Sequence, residues 1–161
     1  MDDYSTPYAC AKAVMKNGFA LAKVPDIHKT TTVCLLAVRQ TGLALCRVPY
    51  PMKTPALCFE AVKQKGWALG AVPLNRRSLR VCLEAVRQKG VALRYVPFAK
   101  RTDKVCWIAI NQNGYALGWV PSAKKTEKMC LEAVKNNSYA IRFVPNHLIT
   151  PRMYAYAKKR M

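Results

Sequence analysis

With 161 residues, 52% of them hydrophobic and 22% charged, the chain can bury roughly two-thirds of its unfolded surface, which excludes a disordered basic tail. Twenty-seven Lys and Arg against eight Asp and Glu leave a formal charge of +19, a density that favours an anionic partner. Nucleic acid is the first candidate, an acidic protein the second and an anionic membrane surface a distant third. Met1-Asp2-Asp3-Tyr4-Ser5 has neither a basic nor an apolar leader region, and no apolar run nears the ~18 residues of a membrane span, so a cytoplasmic chain with no membrane partner is expected.

The predicted elements follow a 24-residue step that repeats six times without an insertion. Thr6, Thr30, Thr54, Ser78, Thr102, Thr126 and Thr150 stand four residues before Cys10, Cys34, Cys58, Cys82, Cys106, Cys130 and Tyr154. An Ala-Val or Ala-Ile pair follows, then Gly18, Gly42, Gly66, Gly90 and Gly114, with Ser138 as the one departure, and Pro25, Pro49, Pro73, Pro97, Pro121 and Pro145 end a recurring Ala-Leu-x-x-Val-Pro. The hydroxyl residue is an N-cap, backed by Pro at the first helical position in Thr6-Pro7, Thr54-Pro55 and Thr150-Pro151. Leu57, Cys58, Ala61 and Val62 share one helical face, and Gly66 is expected to close a helix of about eleven residues in the left-handed conformation. The second half, as in Trp67-Ala68-Leu69-Gly70-Ala71-Val72-Pro73, reads as a short helix or a short strand.

The expected fold is therefore all-α, a solenoid of six helical repeats at about 6–29, 30–53, 54–77, 78–101, 102–125 and 126–149 with a capping helix at 150–161, in one domain. An α/β horseshoe is the alternative, although its leucine ladder is missing. In the half-unit, Tyr154 replaces Cys and Lys158 replaces the packing Val, as suits a last helix with no successor. A monomer is expected.

Leu57-Cys58-Phe59-Glu60-Ala61-Val62-Lys63-Gln64-Lys65-Gly66-Trp67-Ala68-Leu69 and Cys82-Leu83-Glu84-Ala85-Val86-Arg87-Gln88-Lys89-Gly90 resemble the short repeats catalogued as domain of unknown function 4116, found in bacterial and viral proteins. The likeness covers nearly the whole chain. It implies a mostly helical repeat array, and it brings neither an activity nor catalytic residues.

One Cys per unit at helix-packing distance puts neighbouring Cα atoms about 8–10 Å apart, too far for a disulfide, and strings the thiols along a line where zinc needs four converging ligands. The ladder reads as small buried filler, with Cys46 as the thiol off the ladder. His28 and His147 fall at different phases, and Glu60, Glu84 and Glu132 suit a solvated helix face. There is no phosphate loop and no nucleophile elbow, so neither an enzyme nor a cofactor or metal is expected.

The basic residues form ladders too. Lys29, Lys53, Arg77, Arg101 and Lys125 precede the N-cap, doubled by Arg76, Lys100 and Lys124; Arg39, Lys63, Arg87 and Lys135 form a second row on the helix. Rows of cations near helix N-termini suit phosphates. Lys23, Arg47, Ala71, Tyr95, Trp119 and Phe143 drift from basic to aromatic at one phase, making Tyr95 and Trp119 candidate exposed contacts for single-stranded nucleic acid. Phe19, Trp67, Tyr115 and Tyr139, fixed after the Gly position, read as core. Gln40, Gln64, Gln88 and Gln112 add an amide row.

The sequence thus points to a non-catalytic basic scaffold for nucleic acid, RNA or DNA, or a nucleoprotein, gripped through phosphates. The alternative is a protein-interaction module, a small inhibitor or adaptor on an acidic protein in a microbial or viral setting.

Overall fold

The computed structural model describes residues 4–158; the last three residues of the expected capping helix lie outside the described residues. Among the described residues the chain is all-α, with no strand. Seven helices recur at the 24-residue step: α1 Pro7–Lys16, α2 Thr31–Gln40, α3 Pro55–Gln64, α4 Leu79–Gln88, α5 Asp103–Gln112, α6 Glu127–Asn136 and α7 Pro151–Lys158. Each of the first six is followed by a 3-10 segment, such as Gly42–Arg47 or Gly114–Trp119, and then by a three-residue 3-10 turn after the Pro, such as Tyr50–Met52 or Ser122–Lys124. That second turn has no counterpart in the sequence expectation. The architecture is a solenoid-like series of helix and 3-10 repeats. The short strand considered for the second half is instead 3-10 backbone.

The helix starts follow the capping chemistry. Thr6, Thr30, Thr54, Ser78, Thr102, Thr126 and Thr150 each accept through their hydroxyl from the backbone N–H three residues on, at 3.1 to 3.4 Å. The helix ends do not follow expectation. No described glycine has a positive φ. The stop is instead an extended residue, as at Lys65 (φ −150°, ψ 110°), whose N–H still reaches back to the Ala61 carbonyl.

The chain divides into two compact units, 1–81 and 82–161, the division falling inside α4. In the first, α2 packs on α1 and α3 on α2, and the 3-10 segments Gly18–Ala22, Gly42–Arg47 and Gly66–Ala71 form a second stack beside them. Its core takes Val33, Cys34, Ala37 and Val38 from α2 and their counterparts Leu57, Cys58, Ala61 and Val62 from α3, closed by Leu21, Leu45 and Leu69 of the 3-10 stack. In the second, α6 packs on α5 and α7 on α6, with Gly90–Tyr95, Gly114–Trp119 and Ser138–Phe143 as the companion stack. Val105, Cys106, Ala109 and Ile110 of α5 are buried there, as are Leu93 and Leu117 of the 3-10 segments packed against it. Each fully buried Leu contributes about 1.5–3 kcal/mol. Tyr154 and Lys158 on α7 are exposed, while Met153 and Ala157 are buried.

The glycine phase has a steric reason. In the first unit a Cβ on Gly18 would stand 2.5 Å from the Ala37 carbonyl oxygen of the next helix, and one on Gly42 would collide with the Ala61 carbonyl. In the second, Gly114 meets Ala133 in the same way. Glycine lets the 3-10 stack approach the following helix's backbone, which is a requirement of space and not of handedness.

Candidate nucleic-acid interface

The basic row before the N-cap ends the short 3-10 turn of each unit, and its side chains turn onto backbone. In the first unit Lys53 Nζ donates to the Ala71 carbonyl at 3.1 Å, and Arg77 donates to the carbonyls of Val72 at 2.8 Å and Gly70 at 3.3 Å. In the second, the Arg101 guanidinium donates to Val96 at 3.0 Å, Arg94 at 3.4 Å and Trp119 at 2.7 Å, and Lys125 Nζ donates to Phe143 at 2.8 Å. These acceptors lie at the ends of 3-10 segments, where carbonyls lack an internal partner. All five residues of the row are half-buried, and burial pushes the Arg101 and Lys125 pKa values below their usual range. Lys29 departs from the pattern and pairs with Asp26 at 2.7 Å.

The Cys ladder meets the same residues from the other side. Cys58 Sγ donates to the Lys53 carbonyl at 3.3 Å, and Cys106 Sγ to the Arg101 carbonyl at 3.6 Å. The ladder thiols are fully buried filler, and Cys58 and Cys106 are weak donors as well. Burial raises the pKa values of Cys34, Cys58, Cys106 and Cys130, with nearby Lys and Arg opposing the shift. Cys46 is exposed.

The amide row also serves the joints between repeats. Gln40 accepts from Gly18 N–H at 2.8 Å and reaches the Lys16 carbonyl at 3.5 Å. In the second unit Gln112 accepts from Gly90 N–H and donates to the Gln88 carbonyl at 3.0 Å, while Asn136 repeats the arrangement on Gly114 and Asn111 at 2.6 and 3.0 Å. Gln64 donates to the Arg39 carbonyl at 2.7 Å.

The remaining candidates are distributed as follows. Arg39, Lys63 and Arg87 are exposed on their helices, and Lys135 is half-buried and paired with Glu132 at 2.6 Å. Of the doubling residues, Arg76 donates to the carbonyls of Tyr50 and Lys53, Lys124 pairs with Asp103 at 2.6 Å, and Lys100 is half-buried. Tyr95 and Trp119 are half-buried, not exposed, because they end 3-10 segments whose inner residues are core. The post-Gly aromatics are not core: Phe19 and Tyr139 are exposed, and Trp67 and Tyr115 half-buried.

Two rows were missed. Arg80, Lys104, Lys128 and Arg152 recur at the 24-residue step, all exposed; in the second unit Lys104, Lys128 and Arg152 each take the second position of α5, α6 and α7. No hydrogen bond or ion pair holds these three side chains among the described residues. The step itself was the signal. The other row follows the Pro: Tyr50 and Leu74 in the first unit and Phe98 in the second are exposed by 59%, 68% and 71%. Among the described residues no three His, Cys, Asp or Glu side chains converge as a metal site, and no helix is long and apolar enough to cross a membrane.

Residues 103–149, which hold the fifth repeat after its N-cap and the whole of the sixth, match the model of the family described as Domain of unknown function (DUF4116). The resemblance read from the repeats is thereby shown over that stretch. No curated protein and no solved structure matches the chain.

Proposed function

We propose that this chain is a non-catalytic basic scaffold that binds a polyanion, nucleic acid or a nucleoprotein, mainly through phosphate contacts. The observation that carries the reading is the row Lys104, Lys128 and Arg152, exposed at one position of three successive helices. Cations in a first helical turn oppose the macrodipole, at a cost of about 0.3–1 kcal/mol each, so helix stability gives no reason for them. Phosphates do, because the row and the helix N-termini attract the same charge. Eight carboxylates cannot answer 27 bases, and much of the +19 stands on exposed side chains such as Arg39, Lys104 and Arg152.

A second reading, docking on an acidic protein, is favoured by the exposed Tyr50 and Leu74, with the Arg76 guanidinium 5.6 Å from the Tyr50 ring centroid.

Binding of labelled oligonucleotides across a salt series tests the first reading, with Lys104→Gln, Lys128→Gln and Arg152→Gln combined in one variant. Loss of about three from the slope of log affinity against log salt is expected. A slope indifferent to the three substitutions would overturn it and favour the acidic protein.

A further inference from the structure

We infer that the polyanion taken by the second unit is single-stranded nucleic acid, stacked on the outer face of that unit's 3-10 segments; this rests on the reading above and names its substrate class. Three residues make a 3-10 turn, so positions three apart lie on one side. Gly90–Tyr95, Gly114–Trp119 and Ser138–Phe143 pack against one another in order. Ala92 and Leu93, Ala116 and Leu117, and Ala140 are buried inside. The outer side is therefore Arg94, then Tyr115 and Gly118, then Tyr139 and Arg142, while Tyr95, Trp119 and Phe143, three beyond the buried Ala92, Ala116 and Ala140, are half-buried at its edge.

Tyr115 with the half-buried Trp119 and Phe143 at that edge forms an aromatic cluster framed by cations. The Tyr115 ring centroid is 5.8 Å from that of Trp119, tilted by 55°, and 4.9 Å from that of Phe143 in an edge-on contact. Tyr139 beyond them is 57% exposed. At the phase where one neighbouring repeat carries exposed Arg94 and the other exposed Arg142, the central repeat carries exposed Gly118. A Cβ at Gly118 would come within 3.1 Å of the Phe143 ring, so any side chain there would press on that ring. The result is a gap over aromatic rings, with a guanidinium in the repeat on either side.

That combination selects unpaired bases. A duplex hides the faces of its bases in its own stack, and its phosphates need only cations. Unpaired bases expose π-faces that stack on rings while guanidinium groups hold the backbone. Among the described residues of this unit, none of these 3-10 segments carries a side-chain carboxylate, since Glu84, Asp103, Glu127 and Glu132 all stand on α-helices. An acidic protein would be served by Arg94 and Arg142 alone and would leave the rings without a role.

The test uses the full chain with a labelled 20-mer oligothymidine and a labelled 20-base-pair duplex at one moderate salt concentration. Trp119→Leu keeps most of the apolar volume, and Tyr139→Ser changes a ring that is already exposed; circular dichroism and a melting curve report that each variant folds. The single strand is expected to bind at least about tenfold tighter than the duplex. Each substitution should lower single-strand affinity by roughly five- to a hundredfold and leave duplex affinity unchanged. Salt-dependent binding with no preference for the single strand, or a preference that survives both substitutions, overturns this inference and leaves the phosphate reading standing. Failure to bind either oligonucleotide overturns both.

Discussion

The Arg101 guanidinium donates through Nη1 to the main-chain carbonyl of Trp119, 2.7 Å away and one repeat further along the chain. A residue that by charge alone belongs on a phosphate-binding strip is thus a clamp between two repeats of the second unit. Arg101→Gln is expected to lower unfolding stability by about 1.5–3 kcal/mol, the usual worth of bonds from a charged donor. Its oligonucleotide affinity at a temperature where it is folded should stay within about twofold of the parent. Denaturant melts and an anisotropy titration on the same preparation check both halves; a large affinity loss without destabilisation would restore Arg101 to the interface.

Gly114 and Gly118 differ in what stands beside them. Gly114→Ala drives a methyl into the Ala133 carbonyl, backbone held inside α6, and should cost about 1–3 kcal/mol or more. Gly118→Ala meets only the edge of the Phe143 ring, which can swing, and should cost less. Paired melting curves give the ranking, and equal costs would remove the close-approach argument.

The amide joints admit a graded test at Gln112. Gln112→Ala leaves the Gly90 N–H and the Gln88 carbonyl without their partner, at an expected cost of about 1–3 kcal/mol. Gln112→Glu keeps an acceptor for Gly90 but loses the donor to Gln88, so its melting temperature should fall between parent and Ala variant at neutral pH.

The buried thiols make stability fall at high pH. Their folded pKa values are raised, so over that window the native state holds more protons than the unfolded one, whose thiols titrate near about 8.5. The contribution is fully present below about pH 8.5 and is lost as pH climbs toward the folded values. A denaturation midpoint lower at pH 9.5 than at pH 7.5 is expected. At pH 7.5 a thiol reagent should modify Cys46 at once and Cys34, Cys58, Cys106 and Cys130 only on unfolding, as mass spectrometry of the labelled chain can resolve.

The α-helices were legible residue by residue, because a hydroxyl cap, an occasional Pro and apolar residues at helical spacing are local signals. Trp67–Val72 could not be settled that way, since six residues carry less than two turns of pattern and the choice of 3-10 backbone comes from the second stack packing on the first. The glycine phase was visible, but its reason was not: the obstacle is the Ala61 or Ala133 carbonyl, 19 residues further along the chain in both cases. The clamps made by Arg101 and Gln112 were hidden for a related cause. Their partners are main-chain atoms, which leave no trace in residue identity, whereas a carboxylate partner would have shown as a matching acidic row. Lys104, Lys128 and Arg152 were open to discovery by the 24-residue step alone.

Side chain to main chain is also the grammar of the joints, and it has a consequence for how such a chain can change. Every repeat offers the same carbonyls, and outside proline the same amide protons, whatever its residues, so within either unit a clamp from one repeat needs no matching mutation in the next. Blocks of 24 residues become interchangeable parts, which can be duplicated or excised within a unit without a lock and key to recut. What remains free to vary is the outward lettering, as in the passage from Lys23 and Arg47 to Tyr95, Trp119 and Phe143: one frame can carry a different text at each turn.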